Sequence, residues 1–259
     1  MITLSVDVGN TRIKVGVFQN DELIKVDIFS TQQLLSIPEN YEYEFAIISS
    51  VGVATLPVFV SQAFGKKKQF ILNYQTPLPF VNVYQTPKTL GTDRVAAVAG
   101  AFSLYPKKNV LVVDVGSCIT YDFIDMDTRY HGGNISPGVQ MRLRAMHTFT
   151  AKLPLVNLNT INNSIREIPL IGTNTETALL SGAFKGTVAE ITQMIRMYSD
   201  KFADLQIILC GGDAALLAHE MQSTIRIIPD LVLIGLNNIL RYTLNNSVDW
   251  QATLHGRIN

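Results

Sequence analysis

Two stretches of the chain join a carboxylate, a glycine and short polar side chains directly behind an apolar run. Asp7, Val8, Gly9, Asn10 and Thr11 follow ITLSV, and Asp114, Val115, Gly116 and Ser117 follow NVLVV. In each case the apolar run reads as a strand with the aspartate near its end, and glycine lets the main chain turn or approach a ligand closely. Such a turn presents amide and hydroxyl donors to phosphate oxygens while the carboxylate holds a cation. Lys14 adds positive charge to the first, and Ser117 and Thr120 add hydroxyls to the second. Singly, each is equally an ordinary turn of the kind Asp and Gly favour. One in each half of the chain makes a clamp for a polyphosphate, and hence a nucleotide site.

Further clusters carry similar chemistry. At Cys210, Gly211, Gly212 and Asp213 a strand ends in two glycines before a helix, which suits either close packing of a ring or ribose or a plain strand-to-helix turn. Gly91, Thr92, Asp93 and Arg94 set an acid beside a base where a helix begins. Asp93 reads as a helix cap or as a general base taking a proton from an attacking hydroxyl. Arg94 offers a fork of donors to an anion, bidentate for a carboxylate. A Pro-rich stretch from Tyr74 to Thr89, containing Tyr84, leads into this motif, and irregular segments of that length tend to be functional. GGNISPG at Gly132 to Gly138 and GTNTETA at Gly172 to Ala178 read as turns that cap helices. His131, His147, His219 and His255 lack metal-ligand spacing with each other or with cysteine, which argues against a zinc site. Neither a GxSxG elbow nor a P-loop occurs.

These motifs need a scaffold of alternating elements. Strands are predicted at Thr3 to Val6, Ile13 to Phe18, Phe45 to Ile48, Gln69 to Leu72, Val110 to Val113, Thr120 to Ile124 and Gln206 to Leu209. Helices are predicted at Arg94 to Ser103, Glu176 to Met197, Asp213 to Met221 and Leu231 to Leu244. Mixed in this order they indicate an α/β architecture. DVGNTRIKVGVF from Asp7 is echoed by DVGSCITYDFID from Asp114, which predicts two similar domains facing each other, 1–108 and 109–259.

The whole chain has 259 residues, 47% of them hydrophobic, and its 21 basic residues balance 21 acidic ones. That balance opposes disorder and opposes nucleic-acid binding by bulk positive charge. Two cysteines, Cys118 and Cys210, are too few for a disulfide framework; both are expected in the interior, in a reducing, cytoplasmic setting. The chain enters its first strand with no signal-peptide pattern. Phe45 to Gly65 carries no ionisable residue but is interrupted by Ser49, Ser50, Gly52, Thr55, Pro57, Ser61 and Gln62, so strand, turn and helix are expected there and not a membrane span. The Lys66 to Lys68 run reads as a solvated turn.

Taken in order, DVGNTRIKVGVF, LGTDR, DVGSCITYD, GGNISPG with a downstream TAKLP, GTNTETALLSG and CGGDA resemble the type III pantothenate kinases, members of the actin, sugar kinase and heat-shock chaperone superfamily. The resemblance covers nearly the whole chain. DVGNT and CGGDA are generic to the superfamily; GTDR with GGNISPG is specific to the kinase family. It implies two duplicated ribonuclease H-like, actin-like ATPase domains across a nucleotide cleft, and ATP-dependent phosphorylation of pantothenate to 4'-phosphopantothenate, the opening step of coenzyme A synthesis. It implies that Asp7, Val8, Gly9, Asn10, Thr11, Arg12, Ile13 and Lys14 contact ATP phosphates, with Asp7 toward Mg2+. Ser117 stands on ATP where the family usually has threonine, and Cys118 stands where it has alanine. Asp93 is then the base, Asp114 holds a monovalent cation, K+ or NH4+, and Tyr84, Gly91, Thr92, Asp93, Arg94 and Thr175 face pantothenate. The resemblance also implies a homodimer. Two rivals remain: a non-catalytic regulator that kept the fold, against which Asp7, Asp93 and Asp114 together argue, and a sugar kinase of the same superfamily, in which the Tyr84 to Arg94 segment would differ.

Overall fold

Runs rich in β-branched residues build the strands, as the computed structural model of the chain shows for residues 1–9, 12–30, 37, 40–50, 68–158, 168–221 and 225–246. In chain order the strands are β1 (Ile2–Val8), β2 (Ile13–Gln19), β3 (Glu22–Phe29), β4 (Phe45–Ser50), β5 (Lys68–Ile71), β6 (Val81–Asn82), β7 (Val110–Val115), β8 (Cys118–Ile124), β9 (Arg129–Pro137), β10 (Gln206–Cys210) and β11 (Arg226–Ile227). The helices are α1 (Thr92–Leu104), α2 (Val139–Thr148), α3 (Thr175–Lys201), α4 (Ala214–Ala218) and α5 (Leu231–Asn246). Asn10, Thr11, positions 51–65, Lys66, Lys67 and His255 lie outside the described residues, as does most of the stretch weighed above as a membrane span. Among the described residues no helix is long and apolar enough to cross a membrane.

Two compact units follow from the packing, Met1–Leu104 with α5, and Tyr105–Asp230. The first orders its strands β3-β2-β1-β4-β5. The β1–β2 and β2–β3 pairs are antiparallel, whereas β4 joins β1 and β5 joins β4 in parallel. The second unit repeats the plan as β9-β8-β7-β10-β11, with β7–β8 and β8–β9 antiparallel and β7–β10 and β10–β11 parallel. The echo in sequence is therefore an echo in topology. Asp7 stands one residue before the end of β1 and Asp114 one before the end of β7. Each is flanked by an antiparallel partner, Lys14 or Thr120, and a parallel one, Ser49 or Cys210.

β1 and β7 are buried along most of their length, which is why both read as near-continuous apolar runs. Leu4, Val6, Ile13 and Val15 form the first core with Ile48. Leu111, Val113, Ile119 and Tyr121 meet Leu143, Phe184 and Ile191 in the second.

The division differs from the one expected at Lys108. Helix α5 packs with α1 in the first unit, not with the residues that precede it. A Cβ on Gly235 would lie 1.7 Å from the Ala96 carbonyl oxygen, and one on Gly100 would lie 2.4 Å from that of Leu231. The two helices thus cross backbone against backbone. Thr3 Oγ1 donates to Asn237 Oδ1 at 2.7 Å, tying α5 to β1 through a buried pair.

Further differences have local causes. GGNISPG is the end of strand β9 and not a turn: Gly133 sits where a side chain would strike the Tyr121 carbonyl, at 1.5 Å, so glycine is needed for β9 to lie against β8. Helix α4 is shorter than the predicted Asp213 to Met221. Strand β3, at the sheet edge with polar residues interspersed, and the mostly polar helix α2 were not predicted.

Candidate functional site

In the first unit the end of β1 delivers Asp7, half-buried, between Lys14 and Ser49. Beyond it, the Gly9 amide donates to the Arg12 carbonyl at 3.1 Å, reversing the chain so that Val8 faces Ile13 at the start of β2. The parallel neighbour β4 ends in Ser49 and Ser50, which meet the start of α1. The Thr92 hydroxyl donates to the Ser50 carbonyl at 3.2 Å and lies 2.9 Å from the Ser49 hydroxyl. A threonine hydroxyl carries one hydrogen, so Ser49 is the donor in that second pair. Ser49, fully buried, thereby fixes the residue next to Asp93. Sequence gave no sign of it, because a serine at a strand end has no motif.

Asp93 is the second residue of α1, so it is not the helix N-cap. Its Oδ1 accepts the Arg94 amide at 2.8 Å and rests 2.4 Å from where a Gly91 Cβ would stand. Gly91 is therefore the space that the carboxylate occupies. Arg94 is only 6% exposed. Its guanidinium carbon lies 5.8 Å from the centre of the Tyr84 ring, a cation–π contact, and the Tyr84 amide donates to Asn82 Oδ1 at 3.0 Å. Tyr84, Gly91, Thr92, Asp93 and Arg94 are thus assembled as one cluster where the irregular segment enters α1.

In the second unit three motifs far apart in sequence converge. Asp114 Oδ1 lies 2.4 Å from the place of a Gly211 Cβ and 3.9 Å from that of a Gly116 Cβ. Gly211 has a φ of +94°, a conformation that glycine reaches at no steric cost. The Asp213 amide donates to the Val115 carbonyl at 3.0 Å, and the Gly116 amide to that of Cys118 at 3.0 Å. The Gly138 amide donates to the Ser117 carbonyl at 3.0 Å, and a Cβ on Gly138 would lie 2.2 Å from the Gly116 oxygen. DVGSC, the end of GGNISPG and CGGDA therefore form one glycine-lined cradle around Asp114. Gly138 was seen in sequence only as part of a supposed turn.

Ser117 is exposed at this cradle. So is Cys118, contrary to the interior position expected; it opens β8 directly after the turn, before that strand is covered. Cys210 is buried, as expected. Thr175 is exposed as the first residue of α3. Asn174 caps that helix reciprocally with Thr177, accepting its amide at 2.9 Å, so GTNTETA is the predicted cap.

A charged network backs the cradle. Glu190 Oε1 accepts from the Ser136 hydroxyl at 2.5 Å and from the Tyr121 hydroxyl at 3.1 Å. Its Oε2 accepts from Arg142, whose Nε donates to the Pro137 carbonyl at 2.9 Å. Burial alone would raise the Glu190 pKa, but the Ser136 and Tyr121 hydroxyls and the Arg142 guanidinium outweigh it and hold the group below its usual range. Burial, followed by the Glu190 charge, pushes the Tyr121 hydroxyl well above its own. His131 pairs with Asp125 at 2.6 Å. Among the described residues no three His, Cys, Asp or Glu side chains gather as a metal cluster.

Known proteins share this arrangement of sequence. The family described as type III pantothenate kinase matches residues 3–197. The type III pantothenate kinase of Bacteroides fragilis is 40% identical over 244 residues, covering 93% of this chain and 98% of its own. Among solved structures, a Baf family protein from Campylobacter jejuni superposes with a TM-score of 0.61 at 23% identity, covering 93% of this chain and 99% of its own. A ROK family glucokinase from Streptomyces griseus gives 0.57 at 12% identity over 93% of this chain and 100% of its own. Those distant likenesses bear on the fold alone, and they agree with two duplicated ribonuclease H-like domains. Given the match along most of its length, the chain belongs to the type III pantothenate kinase family.

Proposed function

We propose that this protein is a pantothenate kinase, transferring the γ-phosphoryl group of ATP to the primary hydroxyl of pantothenate to give 4'-phosphopantothenate, the opening step of coenzyme A synthesis. The observation that carries the reading is family membership over residues 3–197 together with the assembled Tyr84, Gly91, Thr92, Asp93 and Arg94 cluster.

In this reading Asp93 accepts the hydroxyl proton as the oxygen attacks the γ-phosphorus. The bond from that phosphorus to the bridging oxygen breaks, and ADP leaves with the electron pair. Because Asp93 stands in the first turn of α1 with Oδ1 engaged by the Arg94 amide, its second oxygen is the one assigned to the proton. Arg94, held against Tyr84, and Thr175 supply polar contacts to the acceptor. The Asp7 to Lys14 hairpin and the turn at Ser117 supply donors to the phosphates. Magnesium commonly takes one or two protein carboxylates and completes its shell with water and phosphate, so Asp7 alone suits it. Asp114, a hard oxygen donor ringed by main chain, suits a monovalent cation. When bound, these ions would offset phosphate charge.

Exposed Phe149, Leu170 and Ile171 in the second unit support a homodimer. The two free cysteines support a reducing, cytoplasmic setting. Asp93→Asn is the direct test of the base: it should lower kcat by about a hundredfold to ten-thousandfold while nucleotide affinity, measured by calorimetry, stays near that of the wild type. Near-normal turnover would remove Asp93 from the mechanism.

A further inference from the structure

We infer that Glu190 is a positioning residue for the ATP-phosphate turn, acting through Arg142 and Ser136 on the end of strand β9. The inference rests on the reading of Ser117 as a phosphate contact.

The turn Gly116–Ser117 does not hold itself. Its Ser117 carbonyl is engaged by the Gly138 amide at 3.0 Å, and its Gly116 carbonyl fills the space that a Gly138 side chain would need. The position of Gly138 therefore sets the position of the turn. Gly138 follows Pro137, whose carbonyl accepts from Arg142 Nε, and lies two residues beyond Ser136, whose hydroxyl donates to Glu190. Arg142 closes the loop by donating from a second nitrogen to the other Glu190 oxygen. One carboxylate thus fixes the strand end at two points, directly through a side chain and through a planar guanidinium that spans to main chain.

The chemistry favours a device over a generic brace. Both charges are largely covered, with 22% of the Arg142 and 31% of the Glu190 side chain exposed. A partly buried pair of charges is a poor source of stability beside apolar packing, but it defines a geometry sharply. Three donors on one carboxylate leave it little freedom to rotate. Glu190 lies on α3, whose neighbouring buried residues Phe184, Thr187 and Ile191 anchor it in the core, so the turn is referenced to the rigid interior of its unit.

The experiment compares Glu190→Gln, Arg142→Lys and Ser117→Ala with the wild type, measuring KM for ATP, KM for pantothenate, the ADP dissociation constant and thermal stability. Glu190→Gln keeps an acceptor for Ser136 but sets an amide against Arg142. It should raise KM for ATP and the ADP dissociation constant about tenfold, the scale of a lost hydrogen bond between charged groups. KM for pantothenate should change less than twofold, about the limit of such measurements. Arg142→Lys retains the charge and loses the fork to Pro137, and should move the same two constants even if Glu190→Gln does not fold. Equal changes in both KM values, or a lower Tm with neither KM changed, would mean that the network only braces the fold and would overturn the inference. Ser117→Ala separates the levels. If it weakens ATP binding while the Glu190 and Arg142 variants do not, the positioning role alone fails. If it leaves ATP binding unaltered, the phosphate reading of the turn fails, and the inference with it.

Discussion

At the scale of single residues, the acceptor end of the site depends on contacts that a motif only partly reveals. Tyr84 carries the buried Arg94 on its ring face, so Tyr84→Phe keeps the cation–π contact and deletes only the hydroxyl. Thr175→Ala deletes another from the exposed start of α3. Each should raise KM for pantothenate more than KM for ATP, by up to about tenfold, the scale of losing one polar partner. A rise confined to KM for ATP would reassign both residues. Asp114→Ala should weaken activation by potassium or ammonium over sodium; equal rates in sodium and potassium would leave the cation role without support. Asp7, Asp93 and Asp114 were legible because a carboxylate next to glycine at a strand end or helix start is a local pattern. Ser49 and Glu190 were not, because their partners Thr92, Ser136 and Arg142 lie tens of residues away and meet them only after folding. Cys118 was misjudged because the apolar run around it hides that it begins a strand.

At the scale of elements, the strands that end at functional turns were the most legible, being buried on both faces and so continuously apolar. Helix α2 was missed because its sequence, VQMRLRAMHT, buries only Val139 and Leu143. Strand β9 was missed because Gly132 and Gly133 look like a turn until the closeness of β8 explains them. The destination of α5 was also hidden, since its apolar pattern does not say which unit it joins. The glycine crossing answers that and makes a prediction. Gly235→Ala forces α1 and α5 apart at the Ala96 carbonyl and should cost about 1–3 kcal/mol of stability, as overpacking usually does. Urea unfolding followed by circular dichroism would check it, and unchanged stability would mean that the helices are not in close contact. Since α1 carries Asp93, kcat should fall in the same variant.

Across the whole molecule, three carboxylates share a direction of pH dependence. Asp27 is held below its ordinary 3.8 by Lys25 and Tyr41. Asp125 sits below the same value because His131 and the local amides outweigh its burial. Glu190 sits below 4.5 for the reasons given above. A carboxyl whose pKa is lower in the folded state binds its proton more weakly there than when unfolded. Its contribution is complete above the unfolded value and is lost as pH falls through the folded one. Stability should therefore decline below about pH 4.5 and level off toward neutrality. Glu190→Gln should flatten the acid slope, and a slope identical to the wild type would show that Glu190 does not contribute to it.

The most direct measurement of the central claim is ADP release, coupled to NADH oxidation, with pantothenate or glucose as the sole acceptor under otherwise identical conditions. The sugar kinase comparison makes glucose the informative alternative, because the shared fold positions ATP for either acceptor and only the cluster from Tyr84 to Arg94 distinguishes them. The account predicts acceptor-dependent ADP release with pantothenate and only background release with glucose. Comparable release with glucose, or none above background with pantothenate, would contradict it.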